Sequence, residues 1–200
     1  MWVPMFRIVC LLALMLASTA VLAATLTVRV RDGRGASVQD AVVYAVPEGR
    51  SVAPPKRVAV MDQKNRMFVP HVLAVQTGTA VKFPNSDDIR HQVYSFSSAK
   101  PFQLPLYKGT PSSPIVFTTP GVVTLGCNIH DRMSAYIVIV DTPYFATTAA
   151  GGQVTLDDLG AGRYAINVWA PGVRDAPAPV TVVLTDGERR DLTFDTRKGK

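Results

Sequence analysis

Between Thr25 and Arg31 the apolar residues Leu26, Val28 and Val30 alternate with Thr27, Arg29 and Arg31. That period of two predicts a strand with one buried face. Asp32-Gly33 and Gly35 follow and predict a turn. The same reasoning predicts strands at Val38–Val46, at Met67–Val75 (entered through Pro70), and at Ala80–Phe83 after the turn Thr77-Gly78-Thr79. Further strands are predicted at Ile115–Thr118, Gly121–Cys127, Ala135–Val140, Gly152–Leu156, Gly162–Trp169, Pro179–Leu184 and Arg190–Phe194. Pro47–Pro55 and Pro101–Pro114 read as loops by composition, and Asp157-Asp158-Leu159-Gly160 as a turn. Ala135–Val140 is apolar at almost every position. Both of its faces are therefore expected to be covered, one by its own core and the other by a second unit. No long stretch has helical periodicity, so the chain is expected to be all-β, with short strands forming sandwiches.

The N-terminus does not follow this pattern. Arg7 precedes an apolar run from Ile8 through Leu16, and Val21 and Ala23 stand in the V-x-A arrangement of a signal peptidase site. Residues 1–24 are expected to be a secretory signal peptide cleaved near Ala23 or Ala24. The run is short of the ~20 residues that a bilayer span requires, so no membrane span is expected after cleavage. The product would be periplasmic or otherwise exported. Cleavage removes Cys10 and leaves Cys127 as the single cysteine, so no internal disulfide can form. A lone thiol in an oxidising compartment is open to oxidation unless something occupies it.

The formal net charge is +6 at pH 7. The positive residues are scattered, with a cluster near the end at Arg189, Arg190, Arg197, Lys198 and Lys200. No basic stripe interleaved with aromatics points to nucleic acid.

The chemistry concentrates in Gly126-Cys-Asn-Ile-His-Asp-Arg-Met133. Cys127, His130 and Met133 offer thiolate, imidazole and thioether at the spacing C-x2-H-x2-M, in a short loop between two strands. His91 can add a second imidazole from a neighbouring strand. Two imidazoles, one thiolate and a weak axial thioether make a type 1 copper site. The thioether argues for copper over zinc, whose usual ligands are thiolate, imidazole and carboxylate. The third histidine, His71, lies beside a proline at a strand entry and is expected to be structural. An extra ligand or a second metal site with a carboxylate is the alternative for His71.

Val69-Pro70, Val75-Gln-Thr-Gly-Thr-Ala-Val-Lys-Phe-Pro-Asn85, His91, Thr119-Pro-Gly121 and Cys127 to Met133 together resemble a cupredoxin. The resemblance is to the plastocyanin and amicyanin branch, with an amicyanin-like ligand loop. The chain also resembles exported bacterial proteins labelled methylamine utilization proteins, which join a plastocyanin-like domain to another small β-domain. The resemblance implies a Greek-key β-sandwich over residues 55–141 holding one copper ion. It implies that His91 and His130 are the histidine ligands, with His130 near the surface as the electron port. Cys127 would be the thiolate ligand and Met133 the weak axial one. Asn85 matches an asparagine that ties the two ligand-bearing loops together. Ile129, Asp131 and Arg132 depart from the prolines that flank the second histidine in relatives. They suggest a charged rim for partner selection.

Val30-Arg-Asp-Gly33 with Val38 to Tyr44, and Gly152 to Leu156 with Leu159 to Trp169, resemble the two halves of a carboxypeptidase-regulatory-like or transthyretin-like domain. Residues 25–54 and 142–195 are accordingly expected to form one discontinuous small β-sandwich around the cupredoxin domain, with 196–200 as a basic tail. The expected function is electron transfer through copper to a redox partner protein. Copper delivery without redox turnover, or a structural β-module with a vestigial site, are the alternatives. An enzyme is not expected, because His71 is the one histidine left to build another centre.

Overall fold

The computed structural model describes residues 22–53, 57–111, 113–130 and 132–196. Nearly all of the expected signal segment, Pro54 and Pro55 of the first loop, Asp131, and all but the first residue of the 196–200 tail lie outside these residues. All regular structure within them is strand.

The strands are β1 Ala24–Asp32, β2 Val42–Pro47, β3 Val58–Val60, β4 Asp62–Lys64, β5 Met67–Val69 and β6 Val72–Gln76. They continue as β7 Thr79–Lys82, β8 His91–Ser95, β9 Phe102–Tyr107, β10 Ile115–Phe117, β11 Gly121–Gly126 and β12 Ser134–Val140. The last are β13 Phe145–Thr147, β14 Gln153–Leu159, β15 Gly162–Trp169, β16 Val180–Leu184 and β17 Arg189–Thr196.

The middle of the chain builds a five-stranded sheet in the order β6-β12-β11-β8-β9. A three-stranded sheet β10-β7-β3 and the hairpin β4-β5 accompany it. A core of Met61, Phe68, Val81, Phe83, Val93, Phe117, Val123, Leu125 and Ile137 fills the space between them. The two ends of the chain pair with each other. β1 lies between β14, antiparallel, and β17, parallel. β2 lies between β13 and β15, with β16 outside β15. Leu26, Val28 and Val30 point into the core of these two sheets, as their alternation predicts, with Tyr164, Ile166 and Phe194.

β12 joins the halves. Ala135, Ile137 and Ile139 face the middle core. Val138 and Val140 face the other way, onto Val42 and Val72, with Tyr44, Tyr136 and Trp169 around them. Burying each valine side chain contributes about 1.5–3 kcal/mol. The apolar character of both faces of this strand thus has a partner on each side.

Several boundaries differ from expectation for identifiable reasons. Pro101–Pro114, read as loop, contains the six-residue β9. Pro105 is tolerated there because β9 is a sheet edge and its pairing with β8 is irregular around that residue, where a missing N–H leaves no ladder bond unmade. The predicted Met67–Val75 strand divides at Pro70 and His71 into β5 and β6, which serve different sheets. β2 begins at Val42 rather than at Val38, because Asp40 has a left-handed backbone (φ 61°) that cannot continue a strand. Asp157 and Asp158 form a bulge within β14, where the register against β1 shifts and Asp158 has φ 60°. β3, β4, β8 and β13 were not anticipated. Three of these have only three residues, too few to show a period.

Gly152 locks the first sheet. Its φ is +66°, and a Cβ there would lie 2.7 Å from the Val30 carbonyl oxygen and 2.9 Å from the Val38 nitrogen, both backbone atoms that cannot swing aside. Gly152→Ala should destabilise the protein by about 3 kcal/mol, read as a lower urea midpoint with an unchanged slope. An unaltered midpoint would show that the close approach is not required.

Candidate metal centre

His91 is the first residue of β8, and Cys127 is the first residue beyond β11. Tyr94 and Gly126 pair across these adjacent antiparallel strands. The chain leaving Gly126 therefore runs back past the beginning of β8, and this brings the Cys127 loop over His91. The loop spans residues 127–133 before β12 begins, and the Met133 N–H donates to the His130 carbonyl at 2.9 Å. This bond folds the loop back, so that Met133 returns to the core beside Cys127.

One donor atom from each of His91, Cys127 and His130 lies within 4.8 Å of the other two. His91 is fully buried, Cys127 is 3% exposed and Met133 2%. His130 is half-buried, and its ring centroid is 5.0 Å from that of His91. The Cys127 Sγ is 3.9 Å from the His91 Nδ1, a long contact. The His130 Nδ1 is buried without a hydrogen-bond partner among the described residues. Leaving such an atom unpaired is costly unless something else satisfies it. A cation between the three donors would satisfy it, so the residues fit a metal. Thiolate and imidazole with a neighbouring thioether suit copper better than a hard cation.

The other ring nitrogen of His91 has its own partner. Its Nε2 donates to Asp87 Oδ2 at 2.7 Å, which leaves Nδ1 as the nitrogen facing Cys127. Asp87 also accepts the backbone N–H of Asn65 at 2.6 Å and that of Arg66 at 2.9 Å. These two residues form the turn between β4 and β5, and both have positive φ, 55° and 57°. That is the two-residue hairpin geometry in which both central residues are left-handed. Burial raises the Asp87 carboxyl, but the donors from Arg66, His91 and Asn65 outweigh it and hold the group below its ordinary value. Sequence reasoning missed Asp87. An acid four residues before a histidine is common on exposed loops, and the hairpin that anchors it was not predicted.

Asn85 is buried, and its amide nitrogen donates to the Ile89 carbonyl at 2.9 Å and to the Tyr107 carbonyl at 2.8 Å. Its Oδ1 accepts the Asp87 N–H at 3.0 Å. The expected tie to the Cys127 loop is not what these bonds make, since both amide hydrogens are already committed. Asn85 instead holds the segment that leads to His91 against the end of β9. The neighbouring Tyr107 phenol donates to the Phe83 carbonyl at 2.8 Å and accepts from the Gln63 amide. Burial pushes the Tyr107 phenol up to about 12, so it remains a neutral donor well past neutral pH.

His71 is not part of the cluster. Its Nδ1 is 2.9 Å from Asp40 Oδ2, and its ring meets Tyr136 edge-on at 5.6 Å. It bridges the middle of the chain to the loop before β2. Of the expected rim, Arg132 is exposed, as is Ile129.

No family profile and no curated protein matches the chain. Solved structures do. A Cu-containing nitrite reductase (NirK) from Thermus scotoductus SA-01 is 24% identical, with a TM-score of 0.40 over 48% of this chain. A novel purple cupredoxin from Nitrosopumilus maritimus is 20% identical, with a TM-score of 0.36 over 41% of this chain and 99% of its own. A mutant of amicyanin with Cu(I) is 20% identical, with a TM-score of 0.38 over 48% of this chain and 99% of its own. These likenesses cover 41–48% of this chain, and the match spans only 25% of the nitrite reductase chain.

Asn85→Ala would remove the amide donor from two part-buried carbonyls, and an unsatisfied buried polar group costs about 1–3 kcal/mol. The variant is expected to lose about 2–4 kcal/mol of stability in chemical denaturation of the metal-free protein. A loss below ~0.5 kcal/mol, typical of a surface change, would contradict the anchoring role.

Proposed function

We propose that this chain is an exported type 1 copper protein that carries single electrons between redox partners. The observation that carries the reading is the convergence of His91, Cys127 and His130, with the buried His130 Nδ1 lacking a hydrogen-bond partner among the described residues. His91, Cys127, His130 and Met133 would hold the ion, and when bound, copper supplies one-electron chemistry between Cu(I) and Cu(II).

The chain's own residues perform the remaining tasks. β8 begins at His91 and the neighbouring strand β11 ends one residue before Cys127, so the pairing of Gly126 with Tyr94 sets where the Cys127 loop starts relative to His91. Burial of His91, Cys127 and Met133 keeps water from the thiol and the thioether. A rigid, dry donor set limits rearrangement when the charge changes. Half-buried His130 is the ligand closest to solvent and offers the edge over which a partner protein docks. Exposed Ile129 and Arg132 flank it and give that edge both apolar and charged contacts.

The reading is of a carrier and not of an enzyme. A second copper centre needs further imidazoles, and the one remaining histidine, His71, is engaged with Asp40. Export rests on the N-terminal sequence pattern, which also makes Cys127 the sole cysteine of the product. The domain plan is a copper domain of residues 55–141 inserted in a β-sandwich of residues 25–54 and 142–195. The pairing of β1 with β14 and β17, and of β2 with β13 and β15, supports it.

The test is to add Cu(II) to the cleaved chain and record its visible spectrum and voltammogram. An intense thiolate-to-copper band with reversible cycling is expected, and Cys127→Ser should abolish the band. Folded protein without the band would contradict the type 1 assignment. Tight Cu(I) retention without reversible oxidation would replace electron transfer with copper delivery.

A further inference from the structure

We propose that Asp87 is a positioning residue that sets the reduction potential of the centre by holding His91 as a charged-partner ligand. The inference rests on the copper reading above and assigns a role to a residue outside the donor set.

The geometry is specific. His91 is fully buried, and its two ring nitrogens have different partners, Cys127 Sγ on the Nδ1 side and Asp87 Oδ2 on the Nε2 side. A carboxylate can only accept, so the proton of the neutral imidazole must sit on Nε2. Nδ1 then keeps its lone pair and faces the site. A single bond to an exposed acid would be weak evidence, because surface acids form and lose such contacts freely. Asp87 differs in that its side chain is only 12% exposed. Its two oxygens also accept the N–H groups of Asn65 and Arg66, presented by a hairpin turn whose left-handed residues have a fixed conformation. Its own N–H is held by Asn85 Oδ1. The carboxylate is therefore fixed from three directions, and the imidazole is fixed by it.

A carboxylate on the far nitrogen makes an imidazole more basic and orients its ring. A more basic ligand with a nearby negative charge favours the ion of higher charge. Asp87 thus stabilises Cu(II) over Cu(I) and lowers the potential. Such a partner typically changes metal affinity by about 10–100-fold when removed. In Asp87→Asn the amide keeps the size of the side chain and loses the charge. A tenfold loss of Cu(II) affinity relative to Cu(I) is then expected, which for one electron is a rise of about 59 mV.

The experiment compares the copper-loaded wild-type protein with Asp87→Asn by visible spectrum and voltammetry. Retention of the thiolate-to-copper band with a higher potential supports the proposal. Retention of the band with an unchanged potential overturns it and leaves the copper assignment standing. Absence of the band in the wild-type protein overturns the copper reading and this inference with it. Should Asp87→Asn fail to fold, nitrogen-edited NMR of wild-type Cu(I) protein decides. A slowly exchanging proton on His91 Nε2 supports the proposal, and a proton on Nδ1 or rapid exchange at Nε2 overturns it.

Discussion

Three polar groups that gain little from one another's company alone are held together at one end of the middle unit, two of them buried and one half-buried. A thiol and two imidazole nitrogens lie within 4.8 Å of one another, and the His130 Nδ1 is buried without a hydrogen-bond partner among the described residues. Burial of an unpaired polar atom costs on the order of 1–3 kcal/mol. A fold bears that cost where something satisfies the atoms, and a soft metal ion suits thiolate, imidazole and thioether together. The rest of the middle unit serves this convergence. β8 supplies His91, its neighbour β11 leads directly into Cys127, and the short loop before β12 returns Met133 to the same core.

Around the donors lies a chain of hydrogen bonds that reaches outward through His91. The imidazole meets Asp87, Asp87 meets the amides of the β4–β5 turn, and Asn85 holds both Asp87 and the end of β9. Each link uses a different backbone segment, so the orientation of one ring depends on three loops at once. Local changes in any of them should therefore alter the orientation of the ring. Exposed surface charges elsewhere have no such route, and their effects are screened by solvent.

Much of this could be read from the sequence, and the rest escaped for physical reasons. His91, Cys127, His130 and Met133 stood out because few residue types offer nitrogen or sulfur to a metal, and this chain has only three histidines and two cysteines. β1 and β12 were legible because burial on one face or on both leaves a clear imprint of period two or of none. Asp87 was not legible, because its role comes from a turn that is distant in sequence and whose residues, Asn65 and Arg66, have no hydrophobic pattern. β9 was obscured by Pro105, which is harmless at an edge and forbidding elsewhere. Asn85 was expected to span two ligand loops, yet its two amide hydrogens went to Ile89 and Tyr107. Sequence alone cannot tell which of several nearby carbonyls an asparagine will choose.

The second unit touches the middle unit along Tyr136, Val138 and Val140, on the face of β12 that points away from the donors. It thereby closes a sheet face that would otherwise be an exposed apolar patch. On the other face, X-ray absorption at the copper edge of the copper-loaded protein reads the donor set directly. One short copper–sulfur shell and two imidazole nitrogens are expected, with the sulfur shell lost in Cys127→Ser. A first shell made only of nitrogen and oxygen in the wild-type protein would contradict this donor set.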